Sequence, residues 1–148
     1  MIVAIDINET REFTLKADTE DPTVFTIGQL DPTLRAVIED EAAVFGYAAR
    51  DGSGSASSSD VKLKNRQREL ELVRYGLRNW RNFKNGKGQD VGFFLTDHNV
   101  AGAGKRRGVS DESLAMLPID AISEIAAAVR AFNTIDKDTE KNSVAPSK

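Results

Sequence analysis

The residues of this chain that could do chemistry are basic, and they form two groups. In the stretch 61–85, arginines recur at spacings of four and three residues, at Arg74, Arg78 and Arg81. On a helix this spacing places the guanidinium groups in one stripe. The second group, Lys105, Arg106 and Arg107, lies in a glycine-rich stretch. Because such cations pair with carboxylates and phosphates, we predict that both groups contact an acidic partner. The alternative is a basic edge that faces only solvent.

The motifs that would indicate nucleotide binding are incomplete. The segment GAGK, residues 102–105, matches part of a phosphate-binding loop. That loop also needs a glycine where this chain has Asn99, and a serine or threonine where it has Arg106. The dinucleotide-binding fingerprint fails as well, because its third glycine would fall at Arg107. We therefore predict no nucleotide cofactor.

Metal-binding and catalytic constellations are also missing. His98 is the only histidine and there is no cysteine, so a tetrahedral zinc shell cannot be completed. The segment GSAS at 54–57 lacks the strand-turn-helix context of a nucleophile elbow, and its serines lie in a stretch expected to be too mobile to hold that geometry. Asp40 and Glu41 are adjacent and would point in different directions on a helix. The sequence thus predicts no metal, no cofactor and no enzyme activity.

Charge is segregated along the 148 residues, although the net charge is only −3. Residues 1–60 contain 12 acidic and 4 basic residues, a net of −8, and residues 61–107 contain 4 acidic and 12 basic residues, a net of +8. Residues 108–148 carry 7 acidic and 4 basic residues, a net of −3. An acidic part beside a basic part can be self-complementary, within one chain or between copies. This balance favours protein assembly over nucleic-acid binding, since DNA-binding domains are usually basic overall.

The hydrophobic pattern predicts an α+β fold, in which a small antiparallel sheet packs against about three helices. We expect strands at residues 3–7, 11–16, 23–27 and 91–95, and helices near 32–46, 61–84 and 118–132. Asp31 is expected to cap the first of these helices, and Ser110 a short helix that reaches Leu117. No apolar run is long enough to span a bilayer, and the acidic first residues do not match a secretion signal, so we expect a cytoplasmic protein.

The helix expected at 61–85 is the centre of this prediction. On a helical wheel its apolar residues fall within one arc: Leu70, Leu72, Val73, Leu77, Trp80 and Phe83. Gly76 lies in the same arc and would let another chain segment approach closely. The helix is expected to end at Asn85–Gly86.

The remaining segments are expected to connect this domain or to extend from it. We predict one α+β domain over 1–133, with a flexible Gly/Ser insertion at 50–60 and an exposed basic loop at 97–108. Asn133 is expected to end the last helix, and residues 134–148 to form a solvated tail.

Several phrases of the sequence resemble a group of small proteins encoded among the head and tail genes of tailed bacteriophages. They are FTIGQLD at 25–31, LELVRYGLRNWRNFKNGKGQDVGF at 70–93, SDESLAMLPIDAISEIAAAV at 110–129 and DTEKNS at 138–143. The Ser-rich insertion at 52–59 departs from the compact pattern of that group. The resemblance implies a tail-assembly chaperone or a minor virion component, and it brings no active-site residues.

Two functional hypotheses follow. The first is a phage structural or assembly protein that binds other phage structural proteins or copies of itself, in the host cytoplasm or in the virion. In this hypothesis the two basic groups contact the partner, so replacing Arg78 and Arg81 with Glu should weaken assembly without unfolding the domain. The alternative is a nucleic-acid-binding protein that uses the basic helix edge and the 102–108 loop, with Trp80 or Phe83 stacked on bases. Burial of these two aromatic residues would oppose the alternative.

Overall fold

The structure, a computed structural model, describes residues 1–40 and 58–144. Their elements combine helices with two antiparallel sheets, one of three strands and one of two, so the predicted α+β class is confirmed. Of the insertion predicted at 50–60, the part up to residue 57 lies outside the described residues, and residues 58–60 belong to a helix. Residues 41–46 of the first predicted helix also lie outside the described residues.

The three-stranded sheet contains β1 (Thr10–Phe13), β2 (Val24–Gly28) and β3 (Leu77–Arg81), in that order. Phe13 pairs with Phe25, which pairs with Trp80, so aromatic residues from all three strands meet on the core side of the sheet. The strands predicted at 11–16 and 23–27 are therefore confirmed as β1 and β2. The strand predicted at 3–7 is wrong, because residues 1–6 adopt no regular element.

The long helix predicted at 61–85 is wrong in its second half. Helix α2 (Ser58–Gly76) ends at the glycine, and the chain continues directly as β3. Ile27 pairs with Leu77 while Thr26 pairs with Asn79, so Arg78 is an extra residue in β3, a β-bulge. The bulge leaves the two buried residues of β3, Leu77 and Trp80, three positions apart, which imitates the spacing of a helix face. The arginine stripe at 74, 78 and 81 therefore does not exist.

Residues 95–109 form a β-hairpin where a strand at 91–95 and a loop at 97–108 were predicted. Strands β4 (Leu95–Val100) and β5 (Gly104–Val109) pair along their whole length, apart from the three-stranded sheet. Gly102 and Gly104 have φ angles of 87° and 80° at the hairpin turn, where a side chain would be strained. The glycines that suggested a loop thus form only the turn, and both earlier predictions for this region are wrong.

The helix caps predicted at Asp31 and Ser110 are present. Helix α1 runs over residues 32–40, and the Asp31 carboxylate accepts a hydrogen bond of 2.9 Å from the Leu34 amide. The Ser110 side chain accepts from the Ser113 amide at 3.2 Å and starts the short helix α3 (Asp111–Leu114). These two interactions fix where α1 and α3 begin.

Helix α4 (Ile119–Val144) continues past the predicted stop at Asn133. The Asn133 side chain is buried, accepts a hydrogen bond of 3.0 Å from the Leu30 amide and donates one of 2.7 Å to the Val129 carbonyl. Its polar atoms are thus used to join α4 to the segment before α1. The helix stop predicted at Asn133 is therefore wrong, because α4 includes residues 134–144 of the predicted tail, and residues 145–148 lie outside the described residues.

The core lies between α2, α4 and the inner face of the three-stranded sheet, and α1 and α3 close its margins. A Cβ atom on Gly76 would come within 2.5 Å of the Val129 side chain, so this glycine does permit the close approach that its position suggested. The most deeply buried apolar residues come from both sheets and from the helices: Phe25, Ile27, Val73, Leu77, Val109, Ile125, Val129 and Phe132. Of the helices within the described ranges, none combines the length and the apolar character needed to cross a membrane.

Candidate functional site

Arg74, in the last turn of α2, holds three elements together. Its Nη1 donates to the Val109 carbonyl at 3.0 Å and lies 2.9 Å from the Asp111 carboxylate, so α2 is tied to the end of β5 and to α3. The side chain is only 16% exposed. This guanidinium therefore has a structural use within the chain, which leaves little of it for the partner contact predicted from the sequence.

Arg78, the bulged residue of β3, lies against the backbone of β2. Its Nη2 donates a short hydrogen bond to the Gln29 carbonyl, and a Cβ atom on Gly28 would be 2.8 Å from its Nε. Burial lowers the pKa of the Arg78 guanidinium from its usual value, because the charged form loses hydration there. Gly28 thus provides the space that lets a large cation pack flat on the sheet. Arg78 also supports the fold, in contrast to the position in an exposed stripe that the sequence suggested.

Arg81, at the end of β3, is the exposed member of the first basic group. It is 62% exposed and forms an ion pair of 2.9 Å with Glu12 of β1, across the polar face of the three-stranded sheet. Exposed pairs of this kind contribute little to stability, about 0.2–1 kcal/mol. Arg81 can therefore exchange Glu12 for another acidic group at low cost, and it remains a candidate for partner contact.

The second basic group is divided between the two faces of the hairpin. Arg106 points toward the body of the protein, where its Nε donates to the Asp31 carboxylate at 2.8 Å. Lys105 and Arg107 lie on the opposite face, where they are 71% and 66% exposed and approach Asp97 at 3.4 and 3.9 Å. The alternation of a strand explains this division. Lys105 and Arg107 remain available to a partner, and Arg106 does not.

The Asp31 carboxylate connects the hairpin to α1, since it caps the helix and also accepts from Arg106. Burial raises its pKa, but the hydrogen bonds from Arg106 and the Leu34 amide outweigh this, and the net pKa lies below the ordinary value of 3.8.

Ion pairs within the chain use part of the segregated charge. Acidic residues of the first 40 positions pair with basic residues that come later: Glu12 with Arg81, Asp31 with Arg106, and Glu39 with both Arg68 and Arg130. The complementarity that suggested contact between copies is therefore used at least partly inside one chain.

The aromatic residues named for stacking on bases belong to the core. Trp80 is buried, and its indole nitrogen donates to the Val91 carbonyl at 2.8 Å. Its ring packs edge-on against Phe83 and Phe93, with centroids 4.9 Å apart in both pairs. Phe83 is half-buried in the same cluster. These contacts stabilise the loop that leads from β3 to the hairpin.

His98 lies on the inner face of β4 and is partly buried, whereas the sequence predicted an exposed loop at 97–108. Its Nε2 is 3.1 Å from the Val109 carbonyl and 3.2 Å from the Thr96 hydroxyl, and its ring packs edge-on against Tyr75. The imidazole thus fills the space between β4 and α2. In the part of the chain that the structure describes, no group of three or more His, Asp or Glu side chains is arranged to hold a metal ion.

A groove of about 410 Å³ lies between α1, α2 and the hairpin. Its lining mixes apolar, polar and charged side chains: Val37, Ile38, Leu70, Val100, Ala101, Gln67, Tyr75, Asn99, Arg68, Glu71 and Arg74. Glu71 lies 3.8 Å from Arg74. The two guanidinium groups in this lining are already paired, Arg68 with Glu39 at 3.7 Å and Arg74 with Asp111 at 2.9 Å. The groove therefore offers a ligand little charge that the chain itself does not already bind.

Among the described residues, a run of exposed large apolar side chains lies at the start of the chain. Residues 1–7, MIVAIDI, which we call the apolar arm, expose five large apolar side chains by 48–102%: Met1, Ile2, Val3, Ile5 and Ile7. Elsewhere in the described ranges the large exposed apolar residues are Phe94, Met116 and Ile119. Single exposed apolar residues are ordinary, but five within seven positions indicate a binding surface. The alternating pattern at 3–7 predicted a half-buried strand, which does not account for this exposure.

Comparison of the chain with models of protein families, with curated protein sequences and with solved structures gave no match.

Proposed function

We propose that this chain is a structural or assembly protein of a tailed bacteriophage that works by binding other proteins, without catalysis. The observation that carries the proposal is the apolar arm, because water contact with five large apolar side chains is unfavourable and a protein partner would remove it. The phrases that resemble phage head and tail proteins supply the biological setting. We infer that the protein acts in the host cytoplasm during assembly, and in the virion if it stays in the particle.

The exposed cations fit a secondary part in this function. Lys105 and Arg107 on the hairpin, and Arg81 on the polar face of the three-stranded sheet, are exposed and only loosely paired. Charged residues at the rim of an interface mainly affect the rate and the specificity of association. We therefore assign binding energy to the apolar arm and orientation of the partner to these three cations.

Nucleic-acid binding receives less support. The two aromatic residues that would stack on bases pack in the core, and three of the six basic candidates are held by the chain itself: Arg74, Arg78 and Arg106. A gel-shift titration at low salt tests this alternative, since binding through phosphates weakens steeply as salt rises. A salt-sensitive shift at protein concentrations in the micromolar range would favour it over the proposal.

Quantitative mass spectrometry of purified particles, and of assembly intermediates from the same cells, tests the proposed function. A virion component is expected in finished particles at a fixed copy number, and an assembly factor only in intermediates. The proposal is wrong if the chain is present in neither fraction while it accumulates as a folded protein in the same cells.

A further inference from the structure

The first strand of the three-stranded sheet, β1, has a neighbouring strand on one side only. It is the edge strand, paired through its backbone with β2 on that side. Its core-side residues are only partly covered: Phe13 and the following Leu15 are half-buried, and the Arg11 guanidinium lies 4.5 Å from the centre of the Phe132 ring. A strand added beside β1 would extend this core, and exposed edges readily accept such a strand.

The segment immediately before β1 has a sequence that suits such an added strand. The apolar arm is rich in β-branched residues; in an extended conformation Val3, Ile5 and Ile7 would lie on one side, and Ile2, Ala4 and Asp6 on the other. One face of this strand is therefore apolar. It would match the core side of the β1 edge.

The turn between the arm and β1 prevents this match within one chain. The Glu9 amide donates to the Asp6 carbonyl at 3.0 Å, which closes a turn with Ile7 and Asn8 at its centre. A hairpin continued from this two-residue turn would place Ile5 opposite Thr10 and Val3 opposite Glu12.

In that register the apolar side chains of Val3 and Ile5 would face solvent. Thr10 and Glu12 lie on the polar face of the sheet, where Glu12 pairs with Arg81, because Arg11 and Phe13 pair with the core residues Ile27 and Phe25. Val3 and Ile5 would thus be on the solvent side, in agreement with their exposures of 56% and 52%. Val3 and Ile5 would face the core only if the pairing between the arm and β1 were shifted by one residue. The closed two-residue turn does not allow that shift.

We propose that the arm pairs instead with β1 of a second copy, in a register that the turn does not restrict. With Ala4 opposite Glu12, the apolar residues Met1, Val3 and Ile5 lie opposite Leu15, Phe13 and Arg11 on the core side. Asp6 then lies on the polar face, where the Arg81 side chain also projects. Two copies exchange arms reciprocally, which is an economical route to a symmetric dimer. This inference rests on the proposed function and names the partner of the arm.

Disulfide trapping tests the exchange, because the chain has no cysteine of its own. One preparation carries Ala4→Cys and a second, with a different affinity tag, carries Glu12→Cys. Each chain then has one thiol, so any disulfide between the two preparations joins two molecules. The control pair is Ala4→Cys with Ala17→Cys, since Ala17 is exposed and lies outside β1.

The exchange predicts that the Ala4→Cys and Glu12→Cys chains cross-link at least about tenfold faster than the control pair. Ile5→Asp, added to the Ala4→Cys chain, should reduce that rate to the control level. Sedimentation of the unmodified chain should show a dimer, and Ile5→Asp should weaken its affinity by about tenfold or more.

A cross-linking rate equal to that of the control pair, in a chain that sediments as a monomer, would overturn the inference. So would efficient closure of a disulfide within one chain that carries Val3→Cys and Glu12→Cys, because that pair belongs to the hairpin register. If the chain is a monomer but Ile5→Asp still removes it from particles, the arm binds another phage protein. The proposed function then stands and the exchange is wrong.

Discussion

Replacing Arg78 with Glu should destabilise the fold, whereas replacing Arg81 with Glu should not. Arg78 packs on Gly28 and donates to the Gln29 carbonyl, so a glutamate there would bring a carboxylate toward a carbonyl oxygen and remove its donor. Loss of a charged hydrogen bond costs about 1.5–3 kcal/mol, and a poorly solvated charge adds to this. Arg81 is 62% exposed, so losing its pair with Glu12 should cost at most about 1 kcal/mol.

Urea unfolding followed by tryptophan fluorescence measures the difference, because Trp80 is the only tryptophan and is buried. With a urea dependence of about 1–3 kcal/mol per molar, Arg78→Glu should lower the midpoint by about 1 M or more. Arg78→Met separates the causes, since it keeps the aliphatic stem and removes only the donor. The reasoning is refuted if Arg78→Glu unfolds at the wild-type midpoint, or if Arg81→Glu is the more damaging variant. The sequence alone predicted that both positions could change to Glu without unfolding.

Three further changes test other contacts of the fold. Gly76→Ala should destabilise by about 1–3 kcal/mol in urea, although alanine normally favours helices, because the added Cβ meets Val129 at 2.5 Å; a stabilised variant would contradict this packing. Asn133→Ala should cost about 1–3 kcal/mol, since the buried Leu30 amide loses its acceptor, and an unchanged midpoint would count against that hydrogen bond. The lowered pKa of Asp31 contributes stability above pH 3.8, and this stability is lost as the pH falls through the folded-state pKa. The unfolding free energy that Asp31→Asn loses relative to the wild type should therefore shrink on acidification. A loss that grows on acidification would contradict the lowered pKa of Asp31.

Local signals in the sequence were sufficient for some elements. Asp31 followed by a proline, and Ser110 followed by two acidic residues, predicted helix starts that the structure has. Helix capping depends on atoms within three residues, so it can be read from a short stretch of sequence. The pairing of β1 with β2 followed from two alternating segments joined by a short polar turn.

The errors came from features that depend on distant parts of the chain. The bulge at Arg78 exists only because β3 pairs with β2, and it made a strand imitate the spacing of a helix. Asn133 could be placed inside α4 only by knowing that the Leu30 amide needs an acceptor there. The basic residues of the hairpin suggested a loop because polar strands lack the apolar alternation that marks a half-buried strand.

The candidate site was partly predictable for the same reason. The sequence shows where the two basic groups lie, but it does not show which of their side chains form contacts within the chain. Of the six candidates, Arg81, Lys105 and Arg107 are the exposed ones. The apolar arm has the composition of a strand, and its exposure appears only in the structure, where residues 1–6 adopt no regular element.

The central claim is that the apolar arm is the protein-binding element of this chain, and one measurement tests it most directly. The chain with both Ile2→Asp and Ile5→Asp is produced in place of the wild type, and its copy number in particles and assembly intermediates is measured by quantitative mass spectrometry. Ala17→Asp is the matched control, since it adds one of the same charges at an exposed position outside the arm. We predict that the arm variant folds with the wild-type urea midpoint but is lost from these assemblies by about tenfold or more, while the control is retained. Retention of the arm variant at the wild-type copy number would contradict the account.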